Sequence, residues 1–190
     1  MEQSVHVSDV RALRALAHPL RNRLLGLLRL EGPSTATLLG ARFGEISGST
    51  SYHLRQLAAY GFVEEVPGHG TGRWWQARYR QSSWTAAGLQ SQPGGPEVAA
   101  EALRLVVGVQ GHLLQAWSDQ RAALSAEWED ASSLNDYALR LRPDQAKALK
   151  QELFAVLDRW ALAHPTDEPA ADSLTVSVLL DVLPLEHWPT

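Results

Sequence analysis

Apolar residues recur at helical spacing through the first sixty positions and then give way to alternation. Val10, Leu13, Leu16 and Ala17 share one stripe and predict a helix over Val7–Ala17. His18-Pro19 ends it, because a residue before proline is held out of the α region. Pro19 can open a second helix, Leu20–Leu30, which Glu31-Gly32-Pro33 stops. A third short helix is predicted over Thr35–Phe43 with Gly44 as its exit. Ser47 is expected to cap a fourth that runs to Tyr60, with Gly61 as left-handed terminator.

After Gly61 the period becomes two. Phe62–Val66 and Arg73–Tyr79 flank a glycine-rich tip, Pro67 to Gly72, and predict a hairpin. Four short helices followed at once by a hairpin is the order of a winged helix-turn-helix over residues 1–80. Residues 81–96, rich in Ser, Gly, Gln and Pro, read as a linker.

The remainder, 97–190, reads as helix, strand, helix, strand. A long helix from Pro96 to about Glu129 carries a stripe through Val98, Ala102, Leu105, Val109, His112, Ala116 and Trp117. Its length calls for a partner helix. Gly108 and Gly111 within it each cost about 1 kcal/mol relative to Ala, which close approach by another element would offset. Leu134–Leu141 alternates and predicts a strand, Pro143 starts a second amphipathic helix through Trp160, and Leu174–Leu183 predicts a strand covered on both faces. The expected class is α+β, mainly α, with an N-terminal winged helix-turn-helix and a C-terminal dimerisation or sensing module.

The formal charge of −4 conceals two halves of opposite sign. Residues 1–80 hold ten arginines against six acids, a balance of +4, and residues 81–190 hold seven basic residues against fifteen acids, a balance of −8. A basic head on an acidic body suits a phosphate-facing domain joined to one that does not touch nucleic acid. There is no cysteine, which excludes disulfides, thiolate metal sites and cysteine nucleophiles. No signal segment or membrane span is read, so a cytoplasmic protein is expected. Arginine outnumbers lysine fifteen to two, which points to a high-GC bacterial genome.

The fourth helix carries the sharpest chemistry. Leu54, Leu57, Ala58 and Thr50 point inward, while Ser49, Tyr52, His53, Arg55 and Gln56 face outward or flank that side. Arg and Gln can bond base edges, Ser can bond bases or phosphates, and no acid interrupts Ser47–Tyr60. A solvated polar face would have the same pattern. At the hairpin tip, His69 and Arg73 stand among three glycines, where a strand pair can reach along a sugar-phosphate backbone.

Leu16-Ala17-His18-Pro19-Leu20-Arg21-Asn22-Arg23-Leu24-Leu25, then Gly48-Ser49-Thr50-Ser51-Tyr52-His53-Leu54-Arg55-Gln56-Leu57, then Gly61-Phe62-Val63 resembles the ArsR-type winged helix-turn-helix repressors over about residues 10–80. The resemblance implies that Ser51 and His53 hold Ser-x-His-Leu positions on a recognition helix and that Arg21 is the arginine after His-Pro. It also implies a homodimer on double-stranded DNA with an inverted-repeat operator. The metal-sensing members use paired cysteines or His and carboxylate ligands on a C-terminal helix, and neither set is present. His112 and Asp119 lie seven residues apart and make no site alone, so no metal and no cofactor are expected.

No catalytic motif is found, so an enzyme is not expected. Trp117, Trp128, Tyr137 and Trp160 read as core, and a small apolar effector bound among them is the other reading. The expected function is sequence-specific transcription regulation, by repression as the resemblance implies, against a winged helix used for protein contacts alone.

Overall fold

The computed structural model describes residues 2–67, 72–164 and 172–187. The protein is α+β and mainly α, and its contacts divide into two compact units, one reaching Val109 and one starting at Gln110.

The first unit is built from β1 (Glu2–His6), α1 (Val10–Leu16), α2 (Pro19–Leu30), β2 (Ser34–Thr35), α3 (Ala36–Phe43), α4 (Ser47–Ala59), β3 (Val63–Val66), β4 (Trp74–Ala77), β5 (Tyr79–Ser83) and the start of α5 (Gly95–Gln120). Asp9 caps α1 by accepting from the Arg11 N–H, and Thr35 caps α3 by accepting from the Leu38 N–H. Gly44 at φ 66° and Gly61 at φ 74° make the left-handed exits expected after α3 and α4. Leu13, Leu24, Leu25, Leu28, Leu54, Leu57 and Val63, each at most 2% exposed, form the centre of one apolar core.

The hairpin β3–β4 forms with Val63 opposite Ala77 and Val66 opposite Trp74. Two strands were not legible in the pattern. β2 adds to β4 and completes an antiparallel sheet of order β2-β4-β3, while β1 lies parallel to β5 in a sheet of its own. The second expected strand therefore ends at Ala77, and the chain turns at Arg78, whose N–H bonds the Phe62 carbonyl, to enter the other sheet.

Residues 81–96, expected to be a linker, are packed. They contain the end of β5 and the fully buried Leu89, and Gln92 accepts from the Val10 N–H (3.1 Å) while donating to the Ser8 carbonyl (2.6 Å). Gly95 opens α5 where a Cβ would overlap the Leu89 carbonyl, so polar composition here serves close turns rather than freedom. Val98, Ala99 and Ala102 bury the first turns of α5 in the core. Ser47 is the first residue of α4, whose cap is Ile46, so the cap expected there is displaced by one residue.

The second unit differs from its expected outline. The long helix ends at Gln120, about 39 Å from its start at 1.5 Å per residue. A 3-10 turn (Arg121–Ala123) follows, and Ser125 accepts from the Trp128 N–H to start a new helix, α6 (Ala126–Ala131). α7 (Pro143–Ala163) forms as expected, and the Gln145 side-chain oxygen accepts from the Arg142 N–H (2.9 Å) at its start.

Neither Leu134–Leu141 nor Leu174–Leu183 enters a ladder, so both expected strands are absent. Two short strands make at most an isolated hairpin, which is marginal in water without further strands or a covering layer. Gly108 and Gly111 have open space where a Cβ would stand, so the expected close approach is not made within the chain. Tyr137 (86%) and Trp160 (61%) are exposed, and Trp117 and Trp128 are half-buried, so these aromatics are not the core they were expected to form. Among the described residues, no helix is long and apolar enough to cross a membrane.

Candidate nucleic-acid interface

α4 is held by one face. Leu54 and Leu57 are fully buried, and Thr50 between them donates its hydroxyl to the Ile46 carbonyl (3.3 Å). α3 lies close against this helix because Gly40 has no side chain. A Cβ there would lie 2.7 Å from the Glu45 carbonyl oxygen and 2.8 Å from the Thr50 hydroxyl. Thr37 and Ser47 also meet through their hydroxyls (3.2 Å), which ties the start of α4 to α3.

The other side of α4 faces solvent. Tyr52 and Arg55 are exposed, and Ser49, Ser51 and Gln56 are half-exposed, giving an acid-free polar surface along 13 residues. Ile46, 76% exposed at the helix entry, and Leu38, 55% exposed on α3, are apolar groups open to solvent. Sequence reasoning passed over both, since an apolar residue in a helical pattern reads as core.

Two expected site residues have other work. His53 turns toward His18, with ring centroids 4.5 Å apart, and neither Nδ1 has a hydrogen-bond partner among the described residues. Burial lowers the pKa of His53, with His18 and Arg21 adding to the effect; burial and then Arg21 lower that of His18. Both rings are therefore held toward the neutral form. The ring centroids of Tyr52 and His53 lie 5.2 Å apart in a T-shaped contact, so His53 also backs a residue of the open face.

Arg21 likewise points into the fold. Its Nε donates to the Ala15 carbonyl (2.5 Å) and its Nη2 to the Arg14 carbonyl (2.9 Å), satisfying the C-terminal end of α1. Its pKa is lowered by burial. The half-buried Arg29, pushed down to about 10 by desolvation, bonds the Tyr79 carbonyl (2.9 Å) and the Ser82 hydroxyl (2.7 Å) and fastens α2 to β5. Three of the arginines behind the basic balance of this half are thus not equivalent: Arg21 and Arg29 are structural, and Arg55 is open.

On the hairpin, Arg73 is exposed and ion-paired with Glu65, and Arg78 pairs with Glu2 (3.4 Å) and Glu64 (3.7 Å). His69 lies outside the described residues. His112 on α5 is exposed, and no group of three or more His or acidic side chains placed to hold a metal occurs among the described residues. Comparison with family models, with curated proteins and with solved structures gives no match for this chain.

Proposed function

We propose that the chain is a sequence-specific DNA-binding transcription regulator of winged helix-turn-helix type. In this reading α2, α3 and α4 are the helical core, α4 is the reading helix and β3–β4 is the wing. The observation that carries it is the two-sidedness of α4: Thr50, Leu54 and Leu57 are sealed, while Tyr52 and Arg55 are exposed and Ser49, Ser51 and Gln56 half-exposed on a helix that carries no acid. An α-helix fits the major groove of B-DNA, and Arg and Gln there can bond base edges in pairs.

Arg73 would exchange Glu65 for a phosphate, an exchange that costs little because exposed ion pairs are worth about 0–1 kcal/mol. His53 and Arg21, named by the ArsR-type resemblance, then act as positioning residues that fix α4 and the end of α1. The chain works as a homodimer on an inverted repeat, as a repressor by that resemblance.

The test is fluorescence anisotropy with random duplex across a salt series. Binding through several phosphates should weaken with a slope of roughly 0.9 log units per contact per log unit of salt. Absence of binding at low salt would leave the same surface to protein contacts.

A further inference from the structure

Among the described residues from Gln110 onward, not one is buried. Fifteen large apolar side chains of that unit are between 36% and 86% exposed, among them Leu139, Leu141, Val176, Val178 and Leu183. Together they expose on the order of 1,500 Å², the scale that one partner buries in a permanent dimer. No described residue of Leu134–Leu141 or Leu174–Leu183 makes a backbone–backbone hydrogen bond.

Both segments carry strand-type patterns, the first alternating and the second apolar on nearly both faces. Tyr137, Leu139 and Leu141 interleave with Arg140 and Arg142, and Leu174, Val176, Val178, Leu180 and Val182 form a five-residue row whose β-branched members favour strands.

We infer that this unit is an interface between two copies of the chain, in which Leu134–Leu141 and Leu174–Leu183 of each copy pair as strands across a two-fold axis. A second copy is the occupant because it supplies what one chain lacks. Two segments fall below the three strands a sheet needs for stability, and two copies bring four. The contact is isologous, so each copy covers the other's row with its own. The first segment carries Asp136 and Arg140 and runs into Arg142, and the second carries Asp181 as its one charge, so opposite charges are available across the contact. The interface lies wholly outside residues 10–80. It deepens the homodimer part of the proposed function and is independent of DNA recognition.

Full-length protein is examined by light scattering across a dilution series and by amide hydrogen exchange, without DNA. The inference expects a particle of about 42 kDa, twice 20.9 kDa. Slow exchange should be found in both segments and be lost as the dimer dissociates on dilution. Val178→Asp should raise the dissociation constant by about 100-fold or more, and protection in α4 should persist. Should the aspartate variant not fold, Val178→Thr keeps the shape and should still weaken association measurably.

A particle of 20.9 kDa at every concentration overturns the inference, as does a dimer in which both segments exchange freely or one that Val178→Asp leaves intact. A dimer with protected segments that binds no duplex supports this interface and sinks the DNA reading alone.

Discussion

The two units of this chain solve the same problem to different degrees. Up to Val109, helices and strands seal a core in which Leu24, Leu54, Leu57 and Leu89 are fully buried and one polar residue, Thr50, is enclosed with a hydrogen bond. From Gln110, helices form with good caps but no described side chain is buried. Local signals suffice to wind α5 and α7, whereas burial requires something to bury against. Most helical stability comes from packing of the apolar face rather than from propensity, and the described residues of the second unit lack the packing that the first has.

The contrast is most sharply broken by paired truncations. Leu54→Ala should cost about 2–5 kcal/mol in urea unfolding at any protein concentration, as deletions in a sealed core do. Leu139→Ala, at a side chain 61% exposed, should leave the first unit's transition unmoved and change only a concentration-dependent one. Equal costs at the two sites would erase the distinction.

Next in size is Gly40→Val. The new side chain meets the Glu45 carbonyl and the Thr50 hydroxyl, and overpacking of this kind costs about 1–3 kcal/mol. Thermal unfolding followed by circular dichroism would register it. Gly108→Ala, which meets nothing within 4 Å in the chain, should raise helix stability by up to about 1 kcal/mol unless a partner lies there.

A smaller effect is expected at the wing. Arg73→Ala removes an exposed pair with Glu65, so folding stability should change little, while affinity for every duplex falls alike and the salt slope drops by about 1. An operator-selective loss would mean that Arg73 reads bases.

The smallest effect is that of pH. Burial holds His18 and His53 below the ordinary 6.5, and Arg21 opposes their charging; Glu45 and Glu101 are the carboxylates that oppose this shift. The unfolded chain therefore binds protons that the folded first unit resists. Stability from this pair is complete above about pH 6.5 and is lost as pH falls through and below that value. His53→Gln should flatten the profile of stability against pH, and an unchanged profile would remove the pair from the account.

Much of the first unit was legible because its signals are local. Gly44 and Gly61 stand where a helical period stops, and both take the left-handed conformation. β1 was invisible because Glu2–His6 has no pattern of its own and pairs with residues more than seventy positions away. Gln81–Pro96 resembled a linker because composition does not reveal that Leu89 is buried or that Gln92 bonds the entry to α1.

At the candidate interface, the helical wheel separated Thr50, Leu54 and Leu57 from Arg55 and Gln56. It could not reveal that His53, at the flank, packs on His18, or that Arg21 turns back on α1. In the second unit the pattern suggested strands, but a strand is a relation between segments, and neither segment enters a ladder among the described residues.

The central claim is that the open side of α4 reads base sequence. Selection from a random duplex pool, run in parallel with the parent chain and with Arg55→Ala and Gln56→Ala, tests it most directly. The parent should enrich one inverted-repeat sequence, and each variant should lose about 1–3 kcal/mol of discrimination at the base it contacts. Failure of the parent to enrich any sequence, or variants that enrich the same one with undiminished affinity, would contradict the account.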